Sequence, residues 1–120
     1  MKLAIAVRGP EGSEVLDDRF GRCERFLIID TETDKRYSRK NEARDMGGAG
    51  IMAAQSLISE GVEALIAPDL GPNAFRVVSS AGIDVHTASG GNIDDLLKSF
   101  KEGRLKKSST PTVKGHHGDW

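Results

Sequence analysis

Lys2-Leu3-Ala4-Ile5-Ala6-Val7 decides how the rest of the chain is read. Leu3, Ile5 and Val7 share one face of an extended strand, and Ala4 and Ala6 share the other. Both faces are apolar, the mark of an interior strand covered on two sides. A second apolar run, Phe26 to Ile29, closes at Asp30. A third candidate, Lys35 to Asn41, is mostly polar and fits a sheet edge. Residues 8–18 form a loop with Gly9, Pro10 and Gly12, and residues 31–34 form a polar turn. The short connections imply an antiparallel meander.

From residue 47 the period changes. Gly47, Gly48 and Gly50 precede Ile51, Ala54, Leu57 and Ile58, an amphipathic helix ended by Gly61. Ala64 to Ala67 is a short buried strand. Gly71-Pro72 opens a second helix, with proline where its missing N–H costs least. Ala74, Phe75, Val78 and Ala81 form its inner face, and Gly82 ends it. Ile83 to Thr87 is the last strand. Gly90 and Gly91 lead to a third helix, capped by Asn92, with Asp94 and Asp95 in its first turn and Gly103 at its end. The order β-β-β-α-β-α-β-α, joined by right-handed crossovers, predicts a five-stranded mixed sheet with helices on both faces, a three-layer α/β sandwich.

The 120 residues, 38% hydrophobic and 29% charged, fit one globular domain, without a disulfide because Cys23 is the single cysteine. No apolar run is long enough to span a membrane, and the N-terminus lacks signal-peptide features, so the expected compartment is the cytoplasm. Net charge is −1, which argues against nucleic acid as a partner. The charge is unevenly placed. Residues 104–120 hold four cations against Asp119, a net of +3 that leaves −4 on the rest. Residues 1–105 are expected to form the domain, and residues 106–120 a flexible basic tail.

If the second strand runs against the others, one end of the sheet gathers the loops that carry chemistry. These are Arg8-Gly9, Arg19-Phe20-Gly21-Arg22, Gly48-Ala49-Gly50, Gly71-Pro72-Asn73 and Gly90-Gly91, together with three helix N-termini. Ligands of open α/β sheets bind at that end. Backbone N–H groups at helix starts bind anions, glycines let a ligand approach the backbone, and arginines add charge. The competing reading is that the glycines only cap and turn while the arginines are solvated.

Nothing points to catalysis. No serine has a nucleophile elbow, residues 47–53 lack the Lys-Ser/Thr ending of a phosphate-binding loop, and the first strand has no acid. His86 reads as an ordinary strand residue facing a helix. Cys23 reads either as a small buried residue or, with Arg22 and Arg25 beside it, as a thiolate metal ligand. His116 and His117, adjacent in the tail, are weak candidate metal ligands.

Asp18-Arg19-Phe20-Gly21-Arg22-Cys23, Asn41, Gly48-Ala49-Gly50-Ile51 with Ala53-Ala54-Gln55, Gly71-Pro72-Asn73-Ala74 and Ala81-Gly82-Ile83 follow the Lys2–Ala6 start in a specific order and spacing. In this the chain resembles the dinitrogenase iron–molybdenum cofactor biosynthesis family, from Met1 to about Leu105. The resemblance implies a ribonuclease-H-like fold and the binding, carriage or storage of an anionic metal–sulfur cluster. Clusters of the molybdenum–copper kind, held noncovalently by orange-protein-type members, and of the iron–molybdenum kind are both implied. Many family members have histidine just before the Phe-Gly pair. Arg19 stands there in this chain, which favours electrostatic holding over direct ligation. Two other readings stay open: an adaptor that docks on a cofactor-assembly protein or a cytoplasmic ATPase, and a small-molecule enzyme or nucleotide binder using the same anion site.

Overall fold

The structure, a computed structural model, describes residues 1–108. The doubly apolar run becomes β1 (Lys2–Arg8), and it takes the centre of the sheet because both of its faces need cover. It pairs antiparallel with β3 (Arg25–Asp30) and parallel with β5 (Ala64–Ala67). Outside these lie β4 (Arg36–Lys40) on one edge, and β6 (Asp84–Thr87) with β7 (Lys106–Ser108) on the other. The full order is β4-β3-β1-β5-β6-β7, with β2 (Val15–Leu16) paired onto the end of β1.

The two-residue period of the strands divides the interior into two cores. Ala4, Ala6, Phe26, Ile28 and Leu65 face α1 (Ala49–Ser59) and α2 (Pro72–Ser80), which contribute Ala53, Leu57, Ala74 and Val78. Leu3, Ile5, Val7, Leu27 and Ile29 face α3 (Ile93–Lys101), which contributes Ile93, Leu96 and Leu97. Helices therefore cover both faces, as the apolar parity of β1 requires.

Among the described residues the expected five strands are seven. Val15–Leu16 falls inside the expected loop and pairs Val7↔Leu16 and Arg8↔Val15. Two residues cannot show a period. Lys106–Ser108 falls inside the expected tail, so the ordered chain runs past residue 105, where the domain was expected to end. It pairs antiparallel with β6, and Lys107 lies 3.1 Å from Asp84. Main-chain pairing along an open sheet edge needs no apolar side chain, so composition does not register it. The remaining tail, with His116 and His117, lies outside the described residues.

The pairings Val7↔Arg25, Arg25↔Lys40 and Ala67↔Thr87 bring the ends of β1, β4, β5 and β6 and the start of β3 to one end of the sheet. Among the described residues no helix is long and apolar enough to cross a membrane.

Candidate anion-binding cleft

The loop entering β3 is tied down by two buried polar side chains. Asp17 is fully buried; it accepts from the backbone N–H groups of Arg19 at 3.0 Å and Glu24 at 3.1 Å. Asn41 donates to the carbonyls of Gly21 at 2.9 Å and Cys23 at 3.0 Å, and accepts from the Ala43 N–H at 3.3 Å. Held this way, Gly21 presses on the first turn of α1. A Cβ there would stand 2.7 Å from the Gly50 nitrogen. Gly50 in turn lets α1 approach α2, since its own Cβ would lie 3.5 Å from the Ala74 Cβ.

The small residues thus bring the amino ends of α1 and α2 to one cleft of about 370 Å³. Of the expected residues, Arg19, Phe20, Gly21, Gly48, Gly50, Gly71, Pro72 and Asn73 line it. Gly48 precedes α1 with φ +74°, a left-handed turn that a side chain disfavours. No side chain caps α1 or α2, and neither has an acid in its first turn. The third helix contrasts sharply. Asn92 accepts from the Asp95 N–H at 2.9 Å, and Asp94 and Asp95 occupy the first turn. Its positive end is answered from within; those of α1 and α2 are left for something else.

Several expected residues lie elsewhere. Gly90 and Gly91 share the end of the sheet but not the cleft, because α3 covers the opposite face; the Gly91 carbonyl accepts from the Leu16 N–H at 2.9 Å. Only two helix N-termini therefore meet at the cleft, not three. Arg8 is exposed at the end of β1 and does not line the cleft, nor does Gly9, whose carbonyl accepts from the Arg25 guanidinium. Arg22 donates to the carbonyls of Arg44 at 2.6 Å and Met46 at 3.5 Å, which ties down the chain before α1. Ala49 is buried in the first turn of α1.

Cys23 sits in the core with Phe20 and Phe26, its thiol 3.5 Å from the Arg25 carbonyl. Burial, reinforced by the charge of Asp17, pushes its pKa from 9.0 to about 12. It is a neutral thiol, and Arg22 and Arg25, whose charge was expected to lower its pKa, are engaged elsewhere. His86 stacks edge-on against Phe100 of α3 at 5.0 Å, in the role expected of it. Among the described residues no three His, Cys, Asp or Glu side chains gather as a metal site.

Sequence reasoning missed Ile51, Asp69 and Ala74 in the cleft wall, and Asp17, which accepts from the backbone and side chain of Arg19. Nothing local separates Asp17 from Asp18; burial does, at 0% side-chain exposure against 81%. Among the described residues the cleft lining holds one cation, Arg19, and one acid, Asp69, so its side chains carry no net charge and the uncapped helix ends are its distinguishing electrostatic feature. A larger depression of about 760 Å³ on the α3 face carries Glu11, Glu14, Asp94 and Asp95 against Arg36, the wrong sign for an anion.

A family model for the dinitrogenase iron-molybdenum cofactor matches residues 1–103. The apo form of the orange protein from Desulfovibrio gigas superposes with a TM-score of 0.88 at 30% identity, over 93% of this chain and 96% of that one. A NifB-like Thermotoga protein of the DUF35 family superposes at 0.82 with 39% identity, over 95% and 98% of the two chains. An uncharacterized protein of Methanocaldococcus jannaschii is 37% identical over 111 residues, 89% of this chain and 91% of its own.

Proposed function

Because this chain belongs to the dinitrogenase iron–molybdenum cofactor family, we propose that it binds an anionic metal–sulfur cluster at the amino ends of α1 and α2 and carries or stores it without transforming it. Molybdenum–copper and iron–molybdenum sulfide clusters are the cargo classes this reading admits. We read the five longer strands, ordered β4-β3-β1-β5-β6 with β3 reversed, as a ribonuclease-H-like sheet used as a scaffold. One observation carries the reading: the two helix ends that meet at the cleft lack side-chain caps and first-turn acids, whereas the helix end on the other face has both. Uncapped N–H groups and the helix dipole attract an anion without a metal–protein bond. The absence of a His, Cys, Asp or Glu cluster among the described residues supports holding over ligation.

Reconstitution of the full chain with tetrathiomolybdate and copper tests this. A coloured, stoichiometric complex that survives gel filtration is expected. Asn73 is exposed at the second position of α2. Asn73→Asp therefore stabilises the helix by about 0.3–1 kcal/mol while placing a negative charge against the cargo. Cluster affinity should fall about tenfold, or roughly 1.4 kcal/mol, as thermal stability holds or rises. A colourless wild-type protein, or an Asn73→Asp variant that binds as tightly as wild type, would sink the reading.

A further inference from the structure

Arg19, the one cation in the cleft lining among the described residues, is held by a single edge of its guanidinium. Arg19 Nε lies 3.4 Å from Asp17 Oδ1 and 3.7 Å from Asp18 Oδ1. Among the described residues no partner engages either terminal nitrogen, and the side chain is 52% exposed. Asp17 is anchored far more firmly. Its own N–H donates to the Ala6 carbonyl of β1 at 2.8 Å, so its main chain is fixed to the central strand. Its Oδ1 already accepts from the Arg19 backbone and its Oδ2 from the Glu24 backbone. The contact with Arg19 Nε is therefore additional to what a buried carboxylate needs for satisfaction.

A guanidinium offers its donors in a rigid planar fork. With the Nε edge taken, the pair of terminal nitrogens is the edge left to a ligand. We propose that Asp17 is a positioning residue: it holds Arg19 so that the terminal fork serves the cleft, which selects an anion with two adjacent terminal sulfur atoms, as at the end of a thiometallate. The proposal rests on the anion-binding reading of the cleft and adds the chemistry of the end that is gripped. Fixing a long side chain before the ligand arrives removes part of the ordering cost of binding.

Calorimetric titration of tetrathiomolybdate, without copper, into the full chain separates the possibilities. Arg19→Lys keeps the charge and loses the fork, so it should bind about tenfold more weakly than wild type, close to Arg19→Ala. Asp17→Asn should weaken binding when Arg19 is present and add nothing in the Arg19→Ala background, since it acts through that side chain. Thermal melts report folding separately. Wild-type affinity in Arg19→Lys overturns the proposal, as does equal weakening by Asp17→Asn in both backgrounds, which marks a purely structural role. Should Asp17→Asn not fold, Arg19→Lys against Arg19→Ala decides, because the arginine is half-exposed. If Asn73→Asp weakens binding and Arg19→Lys does not, the cleft reading stands and the positioning falls. A wild-type chain that binds no tetrathiomolybdate overturns the positioning, and one that also stays colourless when copper is added overturns both.

Discussion

Gly21 and Gly50 face each other across the junction of the loop and α1, and substitution meets different surroundings at each. A Cβ on Gly21 would stand 2.7 Å from the nitrogen and 2.8 Å from the Cα of Gly50, backbone atoms that cannot swing away. Gly21→Ala should cost about 1–3 kcal/mol as the loop is forced off the helix. A Cβ on Gly50 would meet the Ala74 Cβ at 3.5 Å, an ordinary contact, and removing a helical glycine gains roughly 0.5–1 kcal/mol. Gly50→Ala should therefore hold or raise stability. Denaturant midpoints of the two variants check this, and equal midpoints would contradict the close approach. At this scale the sequence marks glycines without saying what each one touches. The lining of the cleft was legible around Arg19-Phe20-Gly21, but the same reasoning enlisted Arg22, which is spent on the carbonyls of Arg44 and Met46.

The helices were legible because their signals are local: Pro72 at a helix start, Asn92 as a cap, and glycines at the stops. The short strands were not. β7 is held by pairing to β6, by the exposed Lys107–Asp84 ion pair and by a long 3.5 Å contact from the Thr87 hydroxyl to the Lys106 carbonyl. Exposed ion pairs contribute little, so main-chain bonds carry the attachment. A chain truncated after Leu105 should fold, yet melt about 4–8 °C below one truncated after Ser108, the shift expected for a loss of about 1 kcal/mol. Identical melting curves would mean that β7 adds nothing to the sheet. Cluster retention should be the same in both, because β7 lies at the edge beyond β6 and contributes no residue to the cleft.

The stability of the whole molecule should form a plateau bounded by the buried Cys23 and the half-buried His86. An unfolded Cys23 loses its proton near 9.0, whereas in the fold it keeps it to about 12. The folded state binds more protons between these values, so stability falls as pH rises from about 9 and is fully present below it. His86 behaves in the opposite sense. Burial lowers its pKa from 6.5, so the unfolded chain takes up the proton first, and stability falls as pH drops below that value. Urea melts across pH should show Cys23→Ala flattening the alkaline limb and His86→Leu flattening part of the acid limb. An alkaline limb unchanged in Cys23→Ala would contradict burial as the cause. What the sequence by itself determined is the order of the long elements, the central place of Lys2–Val7, cover on both faces of the sheet, and the glycine-bearing loops at one end. Each follows from periodicity or capping among near neighbours. Which loops meet was decided by the tertiary structure. The handedness rule governs a crossover between parallel strands, as α2 makes between β5 and β6. It leaves α3 free, because α3 leads into the antiparallel β7. The side chosen by α3 follows from burying Ile93, Leu96 and Leu97 against Leu3, Ile5 and Val7, which takes Gly90 and Gly91 away from the cleft and leaves it to the amino ends of α1 and α2.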